Sequence, residues 1–169
     1  MTIMTRQKIL GVFGEESFPR LGKGYAKKKR QTALSRLTGC MVELNPELVY
    51  MIPTPGTCLE FLALLNVLNC PYILVIPYKD FVSIPSPEYK LLVNQACLDA
   101  KNIIVLDTLN PFKGKPHNIE EAIKYIMKVS DRILVVNSPK GEDSKHIKLV
   151  NSISSSVRDD EPINLILDF

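Results

Sequence analysis

Apolar runs and helical stripes alternate along the whole chain. KILGVFG (Lys8 to Gly14) is a short apolar run closed by glycine, and it reads as a buried first strand. A helix follows over about Leu21 to Leu37, where Tyr25, Ala33, Leu34 and Leu37 share a face. LVYMIP (Leu48 to Pro53) is the second strand, stopped by proline. LEFLALLNVLN (Leu59 to Asn69) is apolar nearly all round, which predicts a helix that lies under other helices or at a subunit interface. The alternation continues with strands at Tyr72–Pro77, Asn102–Thr108, Arg132–Asn137 and Ile163–Phe169. Helices at Pro87–Ala100, Ile119–Val129 and Ser144–Ile153 separate them.

Continuous apolar strands, each followed by a helix, require parallel pairing with both sheet faces covered. Right-handed crossovers then give an α/β fold: one doubly wound, Rossmann-like sheet of about six strands with helices on both faces. The 169 residues read as a single domain, with residues 1–7 a flexible lead-in. In such a sheet, ligands bind beyond the carboxyl ends of the strands, where the strand order reverses. That rule selects the loops GEESF, PTPGT, PYKDF, LDTLN and NSPKGEDS.

Composition adds exclusions. The charged fraction of 23% and the net charge of +3 are those of an ordinary soluble globule and give no reason to expect nucleic acid. No apolar run is long enough to span a bilayer, and MTIMTRQK lacks a signal-peptide core, so a cytoplasmic protein is expected. Cys40, Cys58, Cys70 and Cys97 are scattered and read as reduced structural thiols. With His117 and His146 they make no metal-ligand spacing, and neither a metal nor a cofactor is implied. The basic block Lys23 to Arg30 reads as a solvated helix face, or as an attractor for an anionic ligand or nucleic acid.

Several loop residues carry candidate chemistry. Thr57-x-x-Glu60 has the spacing of a capping box, in which the threonine hydroxyl accepts from a first-turn N–H and the glutamate reaches back to the N–H of residue 57. In the competing reading, Gly56 admits a ligand to the helix N-terminus and Glu60 touches a ribose hydroxyl or works on a glycosidic bond. Glu15 and Glu16 follow the first strand and read as a solvated acidic pair; lining a site instead, they suit hydroxyls or a base better than phosphate. Ser138, Lys140, Gly141 and Ser144 form a loop suited to phosphate, with helix capping by Asp143 or Ser144 as the alternative. No dinucleotide fingerprint and no paired serine nucleophile is present in the sequence.

Taken together, ILGVFG, LVYMIPTPGTCLEFLALLNVLNCPYILVIP, PEYKLLVNQA and HNIEEAIKYIMKVSDRILVVNSPKGEDS resemble the SLOG superfamily. This Rossmann-like group includes the Lonely Guy phosphoribohydrolases, the DprA-type domain and the YspA-like proteins. The resemblance covers most of the chain and implies a pocket for a nucleotide or nucleotide derivative, usually in an oligomer. It points to Gly14, Gly56, Thr57, Asn118 and Ser138 as binding residues, and the strand-end loops add Glu15, Thr54, Tyr78, Asn137, Lys140 and Ser144 as candidates. Pro53 to Glu60 looks like a shortened form of the Lonely Guy P-G-G-x-G-T-x-x-E turn, without its double glycine. The catalytic arginine segment has no counterpart. Gly56-Thr57-Cys58-Leu59-Glu60 is also similar to the G-T-x-x-E turn of nucleoside deoxyribosyltransferases, whose glutamate is the nucleophile.

Binding without catalysis, as a sensor or sequestering module, is therefore the leading expectation. N-glycosidic hydrolysis or transfer through Glu60 is the alternative, and an assembly module with a vestigial pocket the third. A homo-oligomer formed through the Leu59–Asn69 helix is expected, because so apolar a helix is unsuited to solvent.

Overall fold

The computed structural model describes residues 8–15, 25–78, 87–106, 116–138 and 144–167. Among the described residues six strands and five helices alternate: β1 (Ile9–Gly14), α1 (Tyr25–Leu44), β2 (Leu48–Met51), α2 (Thr57–Val67), β3 (Tyr72–Ile76) and α3 (Pro87–Asp99). They continue with β4 (Asn102–Val105), α4 (Pro116–Val129), β5 (Arg132–Asn137), α5 (Lys145–Val157) and β6 (Ile163–Ile166). All pairings are parallel, in the order β4-β3-β2-β1-β5-β6. The doubly wound α/β fold expected from the apolar pattern is the one observed.

The strand order fixes where the helices go. From β1 the chain steps outward through β2 and β3 to the edge strand β4, and α1, α2 and α3 cover one face of that half. Ala33, Leu37 and Met41 of α1 join Phe61, Leu62 and Leu65 of α2 and Tyr89, Val93 and Ala96 of α3 in one core. The chain then returns through α4 on the other face to place β5 beside β1. Ala122, Ile123, Ile126 and Met127 of α4 pack there with Ile147, Val150 and Ile153 of α5. Fully burying each large aliphatic or aromatic side chain contributes about 1.5–3 kcal/mol, so these two layers hold the sheet from both sides.

Two glycines make the close approaches possible. A Cβ on Gly11 would stand 2.7 Å from Ile126 Cγ2 and 2.7 Å from Ser130 Oγ, so α4 crosses β1 only because none is there. A Cβ on Gly14 would stand 2.8 Å from Thr57 Cβ, which lets the end of β1 meet the start of α2.

Element boundaries differ from the expected ones where tertiary contacts or caps decide them. α1 runs seven residues past Leu37, because Met41 extends the buried stripe of Ala33 and Leu37. It stops at Asn45, whose left-handed φ of 45° ends the helix while its N–H bonds the Met41 carbonyl at 2.8 Å. α2 ends in the same way before Asn69, at φ 54°. The edge strand β4 is shorter than expected and is not covered on both faces, for Ile103 and Val105 are exposed. The expected lead-in at residues 1–7 lies outside the described residues. α2 lies between α1 and α3, and both neighbours pack against it. Its apolar residues are largely buried by these neighbours and the sheet, leaving Ala63, Asn66 and Val67 exposed.

The four cysteines are free thiols. Burial raises the pKa of Cys40, Cys70 and Cys97, with Glu43 adding to the effect at Cys40, and this leaves them less reactive at neutral pH. No helix among the described residues is long and apolar enough to cross a membrane.

Candidate functional site

The strand order reverses between β1 and β5, and the carboxyl ends of these two neighbours carry a buried polar pair. Glu15 follows β1 and is 1% exposed rather than solvated as the sequence suggests, and Ser138 follows β5 and is also 1% exposed. Ser138 Oγ donates to Glu15 Oε1 at 2.9 Å. The backbone repeats the link, since Glu15 N–H donates to the Val136 carbonyl at 3.0 Å. Register explains the meeting: Gly14 pairs with Val136, so the residues just beyond both strands leave the sheet side by side. A buried carboxylate is costly unless hydrogen-bonded, and here a hydroxyl across the switch supplies one such bond, to Oε1.

The start of α2 closes on the same point. Thr57 N–H donates to the Glu15 carbonyl at 3.2 Å, and the Thr57 side chain covers Gly14. Gly56 holds φ 86°, a conformation that favours glycine, and it is the N-cap without any side-chain capping bond. The expected capping box is therefore not formed. Thr57 is the first helical residue rather than the cap, and its N–H is taken by Glu15 from a distant part of the sequence.

Glu60 is engaged elsewhere. Arg30 of α1 forks onto its carboxylate, with Nη1 to Oε1 at 2.7 Å and Nη2 to Oε2 at 2.5 Å. Both side chains are partly buried, so the pair is shielded more than a surface ion pair. Of the basic block, Lys27 and Lys28 are exposed, as a solvated face requires, whereas Arg30 is drawn inward by Glu60.

Thr54 adds an unmet need. It lies in the loop from β2 to α2, is 4% exposed, and its Oγ1 has no partner among the described residues. Ser130 and Ser154 share that condition away from the carboxyl edge, whereas Thr54 lies on it. The loop is held in place by Tyr89 of α3, whose hydroxyl donates to the Pro53 carbonyl. Leaving a buried hydroxyl without a partner costs on the order of 1–3 kcal/mol, which a ligand or water at this edge would recover.

The structure thus brings together Gly14, Glu15, Gly56, Thr57 and Ser138, with Thr54 on the same edge. Asn137 turns its Oδ1 onto the neighbouring Ser138 N–H at 2.9 Å. Tyr78 is half-buried against the α4 layer just beyond β3. Ser144 is the N-cap of α5, accepting from Ile147 N–H at 3.4 Å, which realises the capping role open to it in the sequence. Asn118 falls in the first turn of α4, but its side chain, like all of Lys140, Gly141 and Glu16, lies outside the described residues. Arg30 and Tyr89 were not legible as partners of this edge: one was the last residue of a charge run, the other an aromatic at helical spacing.

A cavity of about 310 Å³ opens at the opposite, amino edge, lined by Lys8, Ile9, Leu10, Leu44, Pro46, Asp131 and Arg132. Its lining is mainly apolar, and Asp131 there is tied to the backbone of Ile9 in both directions, at 2.9 and 2.8 Å. Among the described residues, no cluster of His, Cys, Asp and Glu has the form of a metal site.

The class defined by this geometry is a doubly wound α/β domain with a polar pair at its switch point. No family model matches the chain, and no curated protein matches it. Among solved structures, Streptococcus suis SuiB bound to S-adenosylmethionine is similar at 11% identity and a TM-score of 0.32. That match covers 95% of this chain and 39% of the other.

Proposed function

We propose that this chain is a divergent SLOG-like module that binds a nucleotide or nucleotide-derived small molecule at the carboxyl ends of β1 and β5. It acts in the cytoplasm as a sensor or sequestering protein. The observation that carries the reading is the buried Glu15–Ser138 pair at the point where the strand order reverses. Thr54, with its orphaned hydroxyl, supports it. The Glu15 carboxylate accepts hydrogen bonds only, so it suits the hydroxyls of a sugar or the N–H edge of a base. Lys140 and the N-terminus of α5 take the phosphate in this reading, and Asn118 reads a base or sugar edge. Self-association belongs to the same proposal, on the side of the molecule where α2 leaves Val67 exposed.

The N-glycosidase alternative loses ground at Glu60. Both of its oxygens are held by Arg30, so neither is presented to an electrophilic sugar carbon.

Thermal unfolding with a panel of nucleosides and nucleotides tests the reading. A ligand at about 100 times its Kd adds about 2.7 kcal/mol of stability. In a chain of this size that moves Tm by several degrees. The expected result is such a shift for at least one compound, lost in Glu15→Gln when measured against that variant's own unliganded Tm. Glu60→Gln keeps the shift, and chromatography finds no released base. Absence of a shift with every compound overturns the binding reading in favour of a vestigial pocket. Base release that is abolished in Glu60→Gln restores the enzyme.

A further inference from the structure

The amino-edge cavity of about 310 Å³ lies at the low end of the roughly 300–1,000 Å³ in which small molecules are held. Sheet geometry decides what lines it. Leu10 and Val12 of β1 and Leu134 and Val136 of β5 all turn into the core shared with α1, α2 and α3. Side chains alternate faces along a strand, so Lys8 and Arg132, two residues before Leu10 and Leu134, stand on that same face. Leu10 pairs with Arg132 in the register, which sets the arginine beside the leucine. Lys8 precedes β1 but still runs along β2, since its carbonyl accepts from Glu47 N–H at 2.9 Å. Leu44, the last residue of α1, and Pro46 add half-buried apolar surface to the same lining.

The charges of this lining are not balanced. Lys8 and Arg132 are both exposed, and neither has an ion-pair partner among the described residues. Asp131, the acid of the lining, is half-buried, and its Oδ2 accepts from the Ile9 N–H at 2.9 Å. Asp160 lies within electrostatic reach of Arg132, but Arg158 holds both of its oxygens. Glu43 and Glu47 are exposed and do not line the cavity. An anion entering here meets two cations beside apolar surface.

We propose that this cavity binds a small amphiphilic carboxylate, with an apolar chain or ring against Leu10, Leu44 and Pro46 and the carboxylate head between Lys8 and Arg132. The class follows from both halves of the lining. A purely polar anion gains nothing from the apolar walls, and an uncharged apolar molecule leaves both cations without a partner. The planar guanidinium of Arg132 presents paired N–H donors that match the two oxygens of a carboxylate. A nucleotide is a poor fit, because its base needs polar partners that apolar walls do not supply. The site stands apart from the carboxyl-edge reading and neither needs nor excludes it.

Amide chemical-shift titration of the ¹⁵N-labelled protein with octanoate tests the site. Saturable shifts are expected at Ile9, Leu10, Leu44, Asp131 and Arg132. Hexanoate, two methylenes shorter, is expected to bind about tenfold more weakly. Octanol, which lacks the charge, and acetate, which lacks the chain, each bind at least about tenfold more weakly than octanoate. Combining Lys8→Gln with Arg132→Gln weakens octanoate by about tenfold and leaves octanol unchanged. Both residues are exposed, so the double variant keeps the Tm of the parent. Octanoate that moves none of these amides, or moves them without saturating at millimolar concentration, overturns the site. Octanol binding as tightly as octanoate, or octanoate binding unchanged in the double variant, overturns the carboxylate as its ligand.

Discussion

Glu60 stands one turn into α2, and the two arms of Arg30 hold both of its oxygens. The bidentate geometry and partial burial set this pair apart from an exposed ion pair, whose coupling is commonly below about 1 kcal/mol. A double-mutant cycle of Arg30→Ala and Glu60→Gln, read by urea unfolding, should give a coupling of about 1 kcal/mol. Additive single effects would show that the fork contributes nothing. The sequence placed Thr57 and Glu60 at the spacing of a capping box, and that local reading failed for a tertiary reason. The Glu15 carbonyl reaches the Thr57 N–H first, and a guanidinium thirty residues away takes the carboxylate. Local spacing carries no information about either partner. Glu15 itself was recognisable as a loop residue after the first strand, but its burial depends on register between β1 and β5, which lie far apart in the chain.

At the scale of elements, Arg158 at the end of α5 shows how one side chain ties α4 and the turn into β5 to the turn after α5. Its Nη1 donates to the Met127 and Ser130 carbonyls at 2.6 and 2.8 Å, and Nη2 to the Asp131 carbonyl at 2.9 Å. These are the last carbonyls of α4 and the turn into β5, which a helix C-terminus leaves without internal partners. The guanidinium also grips Asp160, with Nε to Oδ1 at 2.8 Å and Nη2 to Oδ2 at 3.0 Å. Those hydrogen bonds hold the Asp160 carboxyl below its ordinary value, against a smaller opposing effect of desolvation. A carboxylate whose pKa is depressed on folding adds stability above its unfolded value, and loses it as pH falls through the folded one. Asp160→Asn should therefore lower stability modestly at pH 7, and the difference from the parent should vanish well below about pH 4. Urea unfolding at both pH values checks this, and a difference persisting in acid would contradict it. The effect should also shrink in high salt, because the Asp160 side chain is 49% exposed.

For the whole molecule, the alternation of apolar strands and helical stripes was enough to read a parallel sheet covered on both faces. β5 was placed to the residue, since its apolar run is bounded by Asp131 and Ser138. Strand order was less legible, because nothing local in α4 says that it carries the chain back across the sheet to lie beside β1. That return creates the switch point, and with it the meeting of Glu15 and Ser138. The apolar character of α2 was read correctly as a need for cover, but most of that cover comes from α1, α3 and the sheet within one chain.

The claim that the β1–β5 switch is a ligand site is tested most directly by amide chemical-shift mapping of the ¹⁵N-labelled protein, titrated with the nucleoside and nucleotide panel. The account predicts saturable shifts concentrated at Gly14, Glu15, Gly56, Thr57 and Ser138, with the amide of Thr54 among them. Saturable shifts confined to the amino-edge cavity around Ile9 and Asp131, or no shifts with any compound at millimolar concentration, would contradict it.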